Sequence, residues 1–230
     1  MVRIRQEAQK NIKYVSRHTT KIGRISGNNT TTWFSWWYYI FFISVKQTKI
    51  INLFGGPGCG KSTIASGIFY ELKKKHFSVD IPYEFPKEVF WEQNLSQISD
   101  QLFILANQHR GIVRSYGKVD FIILDSPILL SPIYRDNYSN EYPASLYDEN
   151  FDEFVLNLFK KYDNMNFFLR RPSSDFQKEG RFQDEDGAQE IDNKIINLLT
   201  EKEIPFVRLP VNDNTVDFIT NYLIKVHNLK

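Results

Sequence analysis

The chain has 230 residues, which is enough for one sizeable α/β domain and short for two. Apolar residues make up 42% and charged residues 24%, a mixture that excludes a disordered or collagen-like chain and indicates a packed core. The net charge of +2 is uneven, because residues 1–47 carry eight Lys/Arg and one acid while the rest carries 21 basic and 26 acidic side chains, and this acidic balance argues against polynucleotide substrates.

The first 47 residues differ in composition from the rest. Residues 1–32 are basic and rich in Asn and Thr without a helical or strand period, so we expect them to be poorly ordered. Residues 33–45, WFSWWYYIFFISV, are apolar and aromatic but fall short of the roughly 20 residues that a membrane-spanning helix needs. Three interpretations stay open for this segment: a weak peripheral contact with a membrane or partner, a strand added to the body, or a stretch that is not native. We therefore predict an N-terminal extension over 1–47 and a single domain over 48–230.

The single cysteine, Cys59, rules out an intrachain disulfide and gives no sign of an oxidising compartment. No small-residue cleavage site follows the apolar run, so a secretory signal is not expected. These two features predict a cytoplasmic protein.

From residue 49 onward, short apolar runs alternate with amphipathic stretches. The apolar runs predict strands at 49–54, 78–83, 119–124, 166–169 and 205–209. Apolar residues at helical spacing predict helices at 62–75, 94–115, 147–162, 188–201 and 216–226. Strands alternating with helices indicate a parallel sheet covered on both faces, so the predicted fold class is α/β with three layers.

A glycine-rich loop lies between the first predicted strand and the first predicted helix. Its sequence, GGPGCGKS, fits the pattern G-x-x-x-x-G-K-[ST] in full. Glycines let backbone N–H groups point at phosphate oxygens, and the helix N-terminus adds its positive dipole end. We expect Lys61 to reach the β- and γ-phosphates of ATP and the Ser62 hydroxyl to bind Mg²⁺. The predicted nucleotide-binding residues are Gly55, Gly56, Pro57, Gly58, Cys59, Gly60, Lys61, Ser62 and Thr63.

Two carboxylates follow predicted strands. Asp125 comes directly after FIIL, at the edge where ligands bind in open α/β sheets, and is predicted to hold Mg²⁺ directly or through water. The alternative for Asp125 is a helix cap for the segment after Pro127. Glu84 follows the second strand and is a candidate to accept the proton of an acceptor hydroxyl or to hold the acceptor's sugar. The alternative for Glu84 is support of the next helix N-terminus.

Trp91 and four polar residues of the predicted helix 94–115 are candidates for contacts with a phosphate acceptor. They are Trp91, Asp100, Gln101, Gln108 and Arg110. An indole stacks well on a base or a nicotinamide-like ring, but it also packs well in a core. For the polar residues the alternative is a solvated helix face.

The polar stretch RRPSSDFQKEGRFQDED, residues 170–186, has the composition of a mobile lid. Phosphoryl transfer is catalysed largely by positioning and by charge on the transferring group, so a lid of this kind is expected to deliver an arginine. Arg181 is the first choice, followed by Arg171 and Arg170. Solvated arginines in a flexible loop are the alternative.

Five segments together resemble the nicotinamide riboside kinase domain of the bacterial NAD-biosynthesis regulator and its small AAA-like relatives, phage-type members included. The segments are INLFGGPGCGKST, YEFPKEVFWE, DQLFILANQHR, FIILDSP and FFLRRPSSDFQKEGRF. The resemblance covers about residues 48–228 and implies a P-loop kinase fold. It also implies that ATP and Mg²⁺ bind through Lys61, Ser62 and Asp125.

The same resemblance extends to the lid and the acceptor side. Glu179-Gly180-Arg181 is similar to the family's acidic-Gly-x-Arg lid element, and Glu84 matches its acidic residue after the second strand. Gln108 and Arg110 match the family's Gln/Arg helix only loosely.

We therefore expect an ATP-dependent kinase that transfers the γ-phosphate to a nucleoside, nicotinamide riboside or a nucleoside monophosphate. Its catalytic residues would be Lys61, Asp125, Arg181 and Glu84. The alternative is a regulatory or switch-type ATPase without a small-molecule acceptor. A GTPase or an ABC-type ATPase is not expected, because the signatures N-K-x-D, T-K-x-D and L-S-G-G-Q are not found at the positions that those classes require. Nucleic acid is not an expected partner, and the sequence leaves the oligomeric state open.

Overall fold

A computed structural model describes residues 46–82, 85–92, 99–137, 149–171 and 185–228. The strands in these ranges are β1 (Lys49–Phe54), β2 (Val79–Asp80), β3 (Phe121–Leu124), β4 (Asp163–Arg170) and β5 (Val207–Pro210). The helices are α1 (Lys61–Lys74), α2 (Phe85–Trp91), α3 (Gln101–Ser115), α4 (Ser131–Asn137), α5 (Glu149–Phe159), α6 (Glu185–Glu201) and α7 (Thr215–Asn228), with a 3-10 turn at Ile128–Leu130.

The five strands form one parallel sheet in the order β2-β3-β1-β4-β5. Strand β1 lies at the centre, with Asn52 paired to Leu124 of β3 and to Asn166 of β4. Parallel neighbours need crossover connections, and helices in those connections cover the faces of the sheet. The predicted α/β fold with a central parallel sheet is confirmed.

The two larger apolar clusters among the described residues lie one on each face of the sheet. On one face, Ile51 and Leu53 of β1 pack with apolar residues of α1 and α7. On the other face, Ile50 and Phe54 pack with apolar residues of α3, α5 and α6. All six residues of β1 are buried, as expected for the central strand of a covered sheet.

Some boundaries differ from the predicted ones. Residues 94–98 of the predicted helix 94–115 lie outside the described residues. Helix α3 begins at Gln101, where the Asp100 carboxylate accepts a hydrogen bond from the Phe103 N–H at 3.0 Å and caps it. Asp100, a candidate for acceptor contacts, therefore serves as a helix cap. The predicted strand 166–169 is longer and begins at Asp163.

Across the described ranges, no helix has the length and apolar character that crossing a bilayer requires. Residues 1–45 lie outside these ranges, so the division into an extension over 1–47 and a domain over 48–230 stays a prediction.

Candidate active site

The phosphate loop, residues 55–60, joins the end of β1 to the start of α1. Gly60 has a φ of 88°, in the left-handed region that glycine enters without steric cost. A Cβ on Gly55 would lie 2.5 Å from Cys59 Sγ and 2.9 Å from the Leu169 carbonyl oxygen. The fold therefore requires glycine at these two positions, and Cys59 is a fully buried part of the loop's packing.

The loop folds around the side chain of Lys61. Its Nζ donates hydrogen bonds to the carbonyl oxygens of Gly55 at 2.8 Å and Gly56 at 2.9 Å, and lies 3.8 Å from Cys59 Sγ. These bonds hold the ammonium group within the loop. A fixed positive charge next to a helix N-terminus is suited to binding phosphate.

Asp125 lies beside the start of α1 because β3 runs parallel to β1 and ends next to it. The Ser62 hydroxyl donates to Asp125 Oδ2 at 2.5 Å. The other carboxylate oxygen, Oδ1, is buried and has no hydrogen-bond partner among the described residues. The 3-10 turn that follows Pro127 has no side-chain cap, so Asp125 does not serve as its cap.

This pair of groups fits a magnesium ion. Mg²⁺ prefers oxygen ligands and is usually bound by one or two protein oxygens together with phosphates and water. The Ser62 hydroxyl and the unpaired carboxylate oxygen of Asp125 supply such ligands at the mouth of the phosphate loop.

An open cleft adjoins Asp125. It is partly open to solvent and is lined by Pro82, Gln108, Ile112, Leu124, Asp125, Ser126 and Ile128. The Gln108 amide donates from Nε2 to the carbonyl oxygen of Ser126 at 3.3 Å and to its Oγ at 3.1 Å. Apolar walls with a few polar groups are typical of a small-molecule site.

A further carboxylate contacts the phosphate loop from α6. Asp192 is 5% exposed, and its Oδ1 accepts a hydrogen bond from the Gly56 N–H. Its Oδ2 accepts a hydrogen bond from Arg171 Nη2 at 3.3 Å. The sequence interpretation missed Asp192. The sequence feature that could have indicated it is a charged residue on the apolar face of a helix, next to the buried residues Ala188, Ile191 and Ile195.

A family model described as an AAA domain matches residues 50–215, most of the chain, including the phosphate loop, Asp125 and Asp192. The chain belongs to this AAA-domain family. The predicted resemblance to small AAA-like proteins is thus confirmed at that level, whereas the closer likeness to nicotinamide riboside kinases stays a prediction. No curated protein matches this AAA-domain chain significantly.

The AAA-domain chain is also similar to solved structures of a deoxyadenosine kinase from M. mycoides. The structure with the products dCMP and a flexible dCDP has a TM-score of 0.51 and 18% identity, and the match covers 76% of this chain and 99% of that one. The structures with dCTP and dATP have TM-scores of 0.46 and 0.47 at 15% and 17% identity, again over 76% of this chain and over 99% and 98% of those chains. The first similarity shows that the AAA-domain chain has the fold of a P-loop nucleoside kinase.

Of the predicted acceptor-side residues of this AAA-domain protein, some line the cleft beside Asp125 and others do not. Gln108 lines the cleft next to Asp125. Gln101 is 3% exposed and Arg110 is exposed, and neither lines this cleft. Trp91 is the last residue of α2, and only its backbone is among the described parts of the chain.

The predicted lid falls largely outside the described residues of the AAA-domain protein. Arg181 and Glu84, both predicted as catalytic, are not among them. Arg170 ends β4 and is exposed, while Arg171 points inward to Asp192 and its side chain is 11% exposed.

Proposed function

We propose that this AAA-domain protein is an ATP-dependent kinase that transfers the γ-phosphate of ATP to a nucleoside-like acceptor. The observation that carries the proposal is the position of Asp125, which bonds to Ser62 of the phosphate-loop region and also lines the neighbouring cleft. A nucleotide on the loop and a small molecule in the cleft would share this carboxylate. That is the arrangement that direct transfer between two bound molecules requires.

On the ATP side, the phosphate loop and Lys61 bind the phosphates. In the transition state of phosphoryl transfer, the bonds to the transferring group are loose and its negative charge lies on the three equatorial oxygens. Catalysis therefore depends on positive charges and N–H donors that are already in place around those oxygens. The two carbonyl bonds to Lys61 Nζ fix that charge within the loop. Mg²⁺, when bound through Ser62 and Asp125, neutralises charge on the β- and γ-phosphates.

On the acceptor side, the cleft combines apolar residues with a polar amide. Ile112, Leu124 and Ile128 supply apolar walls, and the Gln108 amide supplies hydrogen-bonding capacity. A nucleoside base and the carboxamide-bearing ring of nicotinamide riboside both have this chemistry. The deoxyadenosine kinase of similar fold adds deoxynucleosides to the candidate acceptors. As predicted from the sequence, Glu84 is proposed to accept the proton of the acceptor hydroxyl. Arg181 is proposed to stabilise the charge on the transferring phosphate.

The proposal is tested by incubating the protein with γ-labelled ATP, Mg²⁺ and single acceptors from a panel. The panel contains ribonucleosides, deoxynucleosides, nicotinamide riboside and nucleoside monophosphates, and Lys61→Ala is the control. We expect label on one acceptor class and none with Lys61→Ala. ATP hydrolysis with no labelled acceptor would contradict the proposal and favour a switch-type ATPase.

A further inference from the structure

A single buried carboxylate connects the phosphate loop to the residue that follows β4. Asp192 Oδ1 accepts the Gly56 N–H, and Asp192 Oδ2 accepts a bond from Arg171 Nη2 at 3.3 Å. The side chains of Arg171 and Asp192 are 11% and 7% exposed. Both charges are therefore largely removed from water, and the Asp192 charge is compensated by Arg171.

The contact between α6 and the phosphate loop is close as well as charged. A Cβ on Gly56 would lie 2.5 Å from the Ala188 carbonyl oxygen, 2.9 Å from Asp192 Oδ1 and 3.3 Å from Arg171 Nη2. The second residue of the loop is thus confined by α6 on one side and bonded to it through its N–H. A hydrogen bond to an ionised acceptor is roughly twice as strong as a neutral one.

The charge of Asp192 would oppose the loop's function if it stood alone. A carboxylate directly behind a phosphate site repels the phosphates, and partial burial strengthens that repulsion by lowering the effective dielectric constant. The guanidinium of Arg171 lies against the same carboxylate and cancels its charge. The loop thereby gains a strong hydrogen-bond acceptor for Gly56 without a net negative charge beside the nucleotide.

We propose that Asp192 is a positioning residue for the phosphate loop and that Arg171 is its counter-ion, so that this pair sets the affinity for ATP. The inference rests on the proposed function in that the loop must bind ATP. It assigns Arg171 a different role from the phosphate-contacting lid arginine that the sequence suggested as an alternative to Arg181.

The test measures the dissociation constant for ATP by calorimetry with the full chain, and the free energy of unfolding of each variant. Arg171→Gln leaves the Asp192 charge unopposed, so ATP affinity should fall about tenfold or more. Asp192→Asn keeps an oxygen for Gly56 and removes the charge, so ATP should bind as tightly as to the wild type or more tightly. Both variants should lose stability, because each breaks a buried ion pair.

Two further variants separate the charge from the hydrogen bond. Arg171→Gln/Asp192→Asn should regain affinity to within about threefold of the wild type, because the neutral pair leaves no bare charge. Asp192→Ala should bind ATP about tenfold more weakly than Asp192→Asn, because it removes the acceptor for Gly56. Asp163→Asn is the matched control, since its pair with Lys49 lies at the other end of the sheet at 3.1 Å, and it should leave ATP affinity unchanged.

Each part of the inference has its own contrary result. If the double variant binds ATP as weakly as Arg171→Gln, Arg171 contacts the nucleotide and is not a counter-ion. If Asp192→Asn loses as much affinity as Arg171→Gln, the pair acts through stability alone. If Asp192→Ala binds ATP like Asp192→Asn, the Gly56 bond does not position the loop. A wild-type protein that binds no ATP would instead overturn the proposed function, and this inference with it.

Discussion

Asp125 is the residue that the two halves of the candidate site share. One oxygen accepts the Ser62 hydroxyl, and the other is buried without a hydrogen-bond partner in the described part of the chain. An unpaired buried carboxylate oxygen is costly unless a cation or donor binds it. The position of Asp125 at the end of a central strand could be predicted from the sequence, because an apolar run followed by an acid marks the carboxyl edge of a sheet.

The Asp125→Asn variant tests this role at the residue scale. The amide preserves shape but loses the charge that binds Mg²⁺, so we expect kcat for phosphate transfer to fall roughly 100-fold or more. The Mg²⁺ concentration needed for half-maximal activity should rise as well. Activity assays over a Mg²⁺ titration check this, with exposed Asp217→Asn on α7 as the control. Unchanged activity and Mg²⁺ dependence would contradict the role.

The contact between Asp192 and the phosphate loop could not be predicted from the sequence. Its partner Gly56 is 136 positions away in the chain, and the bond goes to a backbone N–H that carries no side-chain signal. The phosphate loop is recognisable from the sequence because all of its residues are consecutive. The distant side chain that bonds to the loop is not recognisable in this way, because the contact forms only when α6 packs on the sheet.

At the scale of elements, the predicted strands and helices correspond well where apolar residues dominate. Strand β4 is longer than predicted because its first residues, Asp163 and Asn164, are polar. The amides of Asn164 and Asn166 pair with Asn52 of β1. Asn52 Nδ2 donates to Asn164 Oδ1 and Asn166 Oδ1, each at 2.9 Å. A search for apolar runs does not find the start of a strand whose polar side chains hydrogen-bond to the neighbouring strand.

Helices α1 and α7 approach closely at Gly67. A Cβ there would lie 2.7 Å from Val216 Cγ2, so Gly67→Ala should overpack the contact. Overpacking typically costs about 1–3 kcal/mol, which exceeds the gain of about 1 kcal/mol in helix propensity from Gly to Ala. We expect a net loss of unfolding free energy in urea titrations.

The matched controls for this contact are on the same two helices. Ser66→Ala, at an exposed position of α1, should not reproduce the loss. Gly67→Ala/Val216→Ala should recover part of it, because the smaller side chain makes room for the new methyl group. A Gly67→Ala variant as stable as the wild type would show that α7 shifts without cost.

At the scale of the whole molecule, stability should depend on pH through His109. Burial lowers the pKa of His109 below 6.5, and its Nε2 lies 2.7 Å from the Tyr162 hydroxyl. Between the lowered folded pKa and the unfolded value, the unfolded chain binds more protons than the folded one. The contribution of His109 to stability is therefore present above pH 6.5 and is lost as the pH falls through the folded pKa.

Urea unfolding at a series of pH values from neutral to mildly acidic checks this prediction. The wild type should lose stability as the pH falls, and His109→Gln should show a smaller loss over the same interval. Asp120, whose pKa is lowered because bonds from Ser78 and Lys46 outweigh the desolvation that opposes them, also stabilises the fold at neutral pH, but its contribution is lost only at more acidic pH. Identical pH profiles for the wild type and His109→Gln would contradict the assignment.

The central claim for the whole molecule is direct transfer between a nucleotide on the phosphate loop and an acceptor in the adjoining cleft. It is tested most directly by measuring ADP and phosphorylated acceptor in the same reaction, with and without the acceptor that the panel identifies. We predict one phosphorylated acceptor for each ADP, and almost no ADP when the acceptor is omitted. ADP that forms equally fast without acceptor, and without matching product, would contradict the kinase assignment.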